Sequence, residues 1–159
     1  MLTGSTAANF YAVPRMTRDI DIVLEIKRED SHALVKLFED DFYIDEETVL
    51  EAIEKNSMFN ALHNDYVVKV DFIVRKPGEY RRLEFERRRL VDFAGQSIWV
   101  VSPEDLVLSK LYWAKDTFSD MQLGDVRNII SQLKDMDFSY IEKWVQELGI
   151  EEVYRRIGE

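Results

Sequence analysis

Cysteine is absent from the 159-residue chain, and histidine occurs only twice. The first absence excludes disulfide scaffolds, thiol nucleophiles and cysteine-ligated zinc. It suits a reducing compartment, and a cytoplasmic location is the expectation. The second leaves His32 and His63 without company of metal-ligand type, so both read as surface or packing residues. No apolar run approaches the ~20 residues that a membrane span needs, and no secretory leader is expected. Internal repeats, low-complexity segments and linkers are missing as well. What remains fits one domain large enough to bury its own core.

Acidic residues outnumber basic ones, 31 to 21, for a net charge of −10. A surface of that sign repels nucleic acid on average. The charge is uneven, however. Arg75-Lys76, Arg81-Arg82 and Arg87-Arg88-Arg89 form a locally basic stretch. It either faces an anionic acceptor such as an RNA end or pairs with Glu79, Glu84, Glu86 or the acidic segment Glu39 to Glu47. Pairing is the preferred reading.

Leu2-Thr3 is a short apolar start that breaks at Gly4-Ser5, and Ala7 to Tyr11 then reads as a helix closed by Pro14. A strand, a Gly-Ser turn and a helix start leave backbone N–H groups free to meet phosphate. Gly4 allows close backbone approach, and the Ser5 hydroxyl adds a donor. The same pair also serves as an ordinary turn and cap.

Asp19-Ile20-Asp21-Ile22 alternates with the period of a strand, expected to run to Ile26. Asp19 and Asp21 then share one face, about 7 Å apart, while Ile20 and Ile22 pack on the other. Two ionised aspartates one pleat apart repel each other, and a shared Mg²⁺ removes that penalty. Tyr66 to Arg75 is the second strong strand, with Asp71 among apolar and β-branched residues. A buried carboxylate there needs a partner. Either it completes a three-carboxylate cluster with Asp19 and Asp21, or it pairs with Lys69 or an Arg on the sheet surface.

These elements together resemble the nucleotidyltransferase superfamily related to DNA polymerase β. The pattern is carried by Leu2-Thr3-Gly4-Ser5, by Arg15-Met16-Thr17-Arg18-Asp19-Ile20-Asp21-Ile22 and by Lys69-Val70-Asp71-Phe72. Within it, the Arg-x-Thr-x-Asp-x-Asp lead-in and Ser102-Pro103-Glu104-Asp105-Leu106-Val107-Leu108-Ser109-Lys110-Leu111 are most similar to the AbiEii-type abortive-infection toxins and their bacterial relatives. The resemblance covers about residues 1 to 130. It implies an α+β fold, with a mixed β-sheet flanked by helices over 1–101 and a helical part over 102–159 in the same compact domain.

For the site, the resemblance implies two Mg²⁺ ions, with Mn²⁺ as a substitute, on Asp19, Asp21 and Asp71 as the catalytic carboxylates. Gly4, Ser5, Arg18 and Lys110 are the implied nucleotide and phosphate contacts, with Arg15 and Asp125 as further members. Arg15 and Arg18 equally suit salt bridges to the acidic surface. Relatives often carry an acid three positions before the one matching Asp125. Here that place holds Gln122, with Asp116 or Asp120 as substitutes.

The implied reaction moves a nucleoside monophosphate from an NTP to an acceptor hydroxyl on an RNA end, a protein or a small molecule. A cognate toxin or antitoxin is the implied partner, in a toxin–antitoxin or phage-defence setting. The competing reading is a catalytically inactive binding module of the same fold, or a toxin–antitoxin partner protein acting through its acidic surface. Relatives also place a helix ahead of the first strand. Here Met1 sits directly on that strand, which is therefore expected to fray or to reflect a shortened frame.

The remaining chain reads as support. Helices are expected over 30–40, with Ser31 as cap and Leu34, Leu37 and Phe38 inward, and over 45–56, with Val49, Leu50 and Ile53 inward. Ser57 to His63 pairs with the strand of Asp71 across Asn64-Asp65. Arg88 to Asp92 and Gln96 to Val101 form strands about Gly95. Ser102 caps a helix over 103–116 with Pro103 at its first position. Helices over 123–134, 138–147 and a short one after Gly149 follow, with Trp113, Trp144 and Tyr140 expected in the core.

Overall fold

The computed structural model describes residues 1–158, so Glu159, the last residue of the expected helical part, lies outside the described residues. Seven strands form one mixed sheet: β1 (Leu2–Thr3), β2 (Asp19–Leu24), β3 (Phe42–Tyr43), β4 (Met58–His63), β5 (Lys69–Val74), β6 (Arg89–Phe93) and β7 (Gln96–Val100). Their order is β3-β4-β5-β2-β1-β7-β6. The pairs β2–β5 and β1–β7 are parallel, and the others are antiparallel. Eight helices accompany them: α1 (Gly4–Ala8), α2 (Ser31–Phe38), α3 (Glu46–Lys55), α4 (Glu79–Glu86), α5 (Pro103–Ala114), α6 (Asp120–Gln132), α7 (Phe138–Glu147) and α8 (Glu151–Arg155). No helix among the described residues is long and apolar enough to cross a membrane.

Alternation along the central strands decides what each face does. Ile20, Ile22, Leu24, Val70, Phe72 and Val74 turn to a core shared with Val49 and Ala52 of α3 and with Leu34 and Phe38 of α2. Phe72 stacks on Phe59 at 5.0 Å and meets Phe38 edge-on at 5.3 Å. Such aromatic pairs contribute about 0.5–1.5 kcal/mol each beyond burial of area. The opposite face of the same strands carries Asp19, Asp21, Lys69 and Asp71. A second core joins β7, α1 and the helices α5 to α8 around Val100, Leu106, Leu111, Val126 and Ile141.

The first strand does not fray. Leu2 pairs with Ile22 on one side and Val100 on the other. The Met1 amine donates to the Val23 carbonyl at 2.8 Å, and the Val23 N–H returns a bond to the Met1 carbonyl at 2.8 Å. Four other expectations shift. The first helix covers Gly4–Ala8 rather than 7–11, since it starts at the turn itself. Ser31 lies inside α2, buried, where its hydroxyl donates to Glu46, and Asp30 occupies the cap position. Leu37 points outward at 76% exposure. The basic stretch contains a helix, α4, that its charge had hidden.

The start of α5 is a junction. Ser102 caps it by accepting from the Asp105 N–H at 3.1 Å, with Pro103 at the first helical position. Asp105 is fully buried and accepts from Ser102 at 2.6 Å, Tyr140 at 2.7 Å and Arg87 at 3.1 Å. Glu104, also buried, receives Arg87 at 3.3 Å, Arg89 at 3.4 Å and the Asp137 N–H at 3.4 Å. Most of the basic stretch is thus consumed by internal pairing, as preferred from sequence. Arg81 meets Glu84 and Arg82 meets Glu86, but Arg87 and Arg89 pair with this helix start, and Arg75 pairs with Glu25.

Candidate active site

Parallel pairing of β2 with β5 sets Asp19 beside Lys69 and Asp21 beside Asp71. Neighbouring strands are about 4.8 Å apart, so the last pair brings two carboxylates side by side. Lys69 lies between the acids, with Nζ 2.7 Å from Asp71 Oδ2 and 3.9 Å from Asp19 Oδ1. Of the two sequence alternatives for Asp71, the pairing with Lys69 is present; Asp71 also adjoins Asp21, but the three acids do not converge as one cluster among the described residues. The other oxygen of Asp71, Oδ1, is buried without any partner. Burial pushes the Asp21 carboxyl above its ordinary range, and the like charges of Asp71 and Asp19 push it further.

Among the described residues, no three His, Cys, Asp or Glu side chains converge as a ready metal cage. Asp19 is exposed at the start of its strand, and the ammonium of Lys69 fills the space a ligand set would share. The chemistry of the donors nevertheless fits a hard divalent cation. All are carboxylate oxygens, one is orphaned, and their mutual repulsion raises the proton affinity of Asp21.

Gly4 adjoins this row for a steric reason. Its φ is +64°, and a Cβ placed there would lie 1.9 Å from Asp21 Oδ2. Only glycine combines that conformation with that contact. Ser5 accepts a bond from Arg15 Nη2 at 2.6 Å, and Arg15 grips Asp125 through two bonds of 2.9 and 3.0 Å. Asp125 also receives Lys110 Nζ at 2.7 Å, and Lys110 donates to Gln122 Oε1 at 3.2 Å.

Residues far apart in sequence thus form one chain: Ser5, Arg15, Asp125, Lys110, Gln122. Lys110 is only 3% exposed. Burial lowers its pKa, opposed by Asp125. Burial also disfavours the Asp125 carboxylate, but the bonds from Arg15 and Lys110 outweigh it and hold the group below its ordinary value. The Gln122 position is therefore filled in kind, because a carboxamide oxygen takes the Lys110 bond. Asp116 and Asp120 are exposed and take no part. Arg18 is exposed too, and no ion pair involves it among the described residues.

A cleft of about 790 Å³ opens beside these groups. Gly4, Ser5, Asp21, Lys110 and Gln122 line one end, and Val23, Ile73, Met58 and Trp113 line the remainder with the turn after α3. Five cations (Lys55, Arg75, Lys76, Arg81 and Lys110) contribute to its lining, against the two acids Asp21 and Glu84. Four of these cations are already paired, Lys55 with Glu51, Arg75 with Glu25, Arg81 with Glu84 and Lys110 with Asp125, and among the described residues Lys76 has no such partner. Burial raises the Glu84 carboxyl despite its 2.8 Å contact with Arg81. A shallower depression of about 470 Å³ along Phe10 to Pro14 holds none of the predicted residues.

Two lining residues were not anticipated. Arg81 was named only within the basic stretch, where pairing with an acid was preferred, and it both pairs with Glu84 and lines the cleft. Trp113 was expected in the core with Trp144 and Tyr140, yet it is 65% exposed in this cleft, whereas Trp144 is buried. Its place three residues after Lys110 was the available signal, since both fall on one face of α5.

Comparison with known proteins bears on the fold and the family. No curated protein matches the sequence. Among solved structures, the lincosamide antibiotic adenylyltransferase LnuA with lincomycin bound superposes with a TM-score of 0.53 at 13% identity, covering 83% of this chain and 85% of that one. An antigenic nucleotidyltransferase-like protein from Paracoccidioides brasiliensis gives 0.54 at 18% identity, covering 82% of this chain and 65% of that one. At such identities the likeness establishes a shared nucleotidyltransferase fold. The sequence model described as "Nucleotidyl transferase AbiEii toxin, Type IV TA system" matches residues 1–123. The family and the fold support a transferase activity, and the chain belongs to the AbiEii nucleotidyl transferase toxin family.

Proposed function

We propose that the protein moves a nucleoside monophosphate from an NTP to an acceptor hydroxyl, with divalent cations, Mg²⁺ or Mn²⁺, held by Asp19, Asp21 and Asp71. One observation carries this reading: Asp21, which lines the cleft, stands in register with Asp71, and one buried Asp71 oxygen has no partner. When bound, the cations would supply charge neutralisation for the triphosphate and a lowered pKa for the acceptor hydroxyl.

The chain's own groups do the rest. Gly4 and Ser5 border the triphosphate end of the cleft, and Lys110 adds a fixed positive charge there. Arg15 holds the Ser5 hydroxyl in place through the Asp125 network. The Asp71 carboxylate is the acceptor for the proton lost by the attacking hydroxyl. The acceptor oxygen bonds to the α-phosphorus as the bond to pyrophosphate breaks. Arg18, at the lip of β2, contacts phosphate only if its exposed side chain swings inward.

A toxin role opposed by a cognate antitoxin, in the cytoplasm, follows from family membership under this proposal. An RNA end, a protein side chain and a small molecule all remain as acceptors. The test is isothermal titration of each NTP with and without Mg²⁺, on wild type and on Asp19→Ala/Asp21→Ala. Micromolar, Mg²⁺-dependent binding that the double variant loses is the expected result. No binding by folded wild-type protein sinks the reading.

A further inference from the structure

Within that proposed nucleotide site, we infer that the exposed indole of Trp113 is the shelf on which the base of the NTP stacks. The inference rests on the nucleotide-site reading and adds the place of the base.

The two walls of the cleft change character in step. On the sheet wall, Asp21 and Asp71 occupy one row of the register, and the next row is Val23, Ile73 and Met58. On the helix wall, Lys110 is followed one turn later by Trp113. The acid–lysine group thus adjoins an apolar and aromatic row, while Lys55, Arg75, Lys76, Arg81 and Glu84 line other parts of the cleft. A ligand that matches the group and the row has a polyanionic head beside a flat, weakly polar part, joined by a short spacer. A nucleoside triphosphate has that form.

The state of the indole supports the assignment. The chain has three tryptophans. Trp99 lies under Arg88 at 4.8 Å, and Trp144 packs against Tyr80 at 4.9 Å. Trp113 has no aromatic or cationic partner among the described residues and is 65% exposed. The neighbouring Tyr112 is already engaged by Arg81 at 5.5 Å and Lys115 at 4.2 Å. Met58, half exposed in the sheet row, offers a soft, polarisable surface for the second face of a base. Every base has a π-face, so stacking of this kind adds affinity without selecting among bases.

The experiment titrates ATP, GTP, CTP, UTP and inorganic tripolyphosphate, each with Mg²⁺, into wild type, Trp113→Ala and Trp113→Phe. The expected result is a loss of roughly tenfold or more for all four NTPs in Trp113→Ala, the scale of base–aromatic stacking. Trp113→Phe should recover most of it, and tripolyphosphate should bind all three proteins equally. NTP binding unchanged in Trp113→Ala overturns the shelf while leaving the nucleotide site standing. A parallel loss of tripolyphosphate overturns it as well, by making Trp113 a general support of the cleft. Wild type that binds no NTP removes the parent reading and this inference with it.

Discussion

Two pairs of inward-facing acids in this protein have opposite fates. Glu104 and Asp105 at the start of α5 are more deeply buried than Asp21 and Asp71, yet they are surrounded by donors. Arg87, Arg89, Ser102, Tyr140 and a backbone N–H share four carboxylate oxygens. Asp21 and Asp71 stand side by side on neighbouring strands, with Lys69 bonded to one of them, Lys110 near the other, and one oxygen unpartnered. Depth alone would make the first pair the costlier one to bury, yet it is the one whose hydrogen bonding is complete. A satisfied pair holds the fold together, whereas an unsatisfied pair is left open for something that arrives later.

The contrast can be broken at its satisfied end with the largest effect. Asp105→Ala removes the acceptors of Ser102 and Tyr140 and leaves Arg87 with Glu104 alone. Losing one member of a buried ion pair costs about 3–5 kcal/mol, which a urea unfolding curve on the variant would read directly. A change below 1 kcal/mol would mean that the junction is not structural.

At the unsatisfied end the sign differs. Asp21→Asn removes a charge that its surroundings disfavour, so metal-free stability should stay within about 1 kcal/mol of wild type or rise. Added Mg²⁺ should raise the melting temperature of wild type by mass action and leave Asp21→Asn nearly unmoved. Thermal unfolding at several Mg²⁺ concentrations checks both halves. A marked loss of stability without metal would place Asp21 with the structural acids.

The smallest effect concerns Glu84, buried like the first pair but held by Arg81 alone. Its folded pKa is raised above the ordinary 4.5. The folded state therefore binds the proton more tightly, and this group's contribution to stability grows as pH falls from its raised value toward 4.5. Wild type should gain on Glu84→Gln over that interval by under about 1 kcal/mol and plateau below it. Paired unfolding curves between pH 7 and 4 would show a constant difference if Arg81 fully offsets burial.

Local pattern made much of this legible. The period of Asp19 to Ile22, the apolar run around Asp71 and the Ser102-Pro103 cap each point to one element, and each element is present. The resemblance joined them in the right order. What escaped depends on contacts across long separations. Nothing near Arg87 indicates that its partners lie beyond two strands, at Glu104 and Asp105. The burial of Lys110 follows from Asp125 and Gln122 on another helix. Trp113 was misplaced because α5 is buried around most of its circumference, so helical periodicity does not single out its open face. The two-residue β3 is too short to leave a pattern.

Gly4 has a genetic consequence. Because a Cβ at this position would lie 1.9 Å from Asp21 Oδ2, on backbone that other residues rarely adopt, the smallest coding changes that replace the glycine force Asp21 to move without touching an acid. Under the proposed function, any selection against the activity would find this codon an easy exit. Among full-length inactive alleles, substitutions at position 4 should accumulate alongside those at Asp19, Asp21 and Asp71.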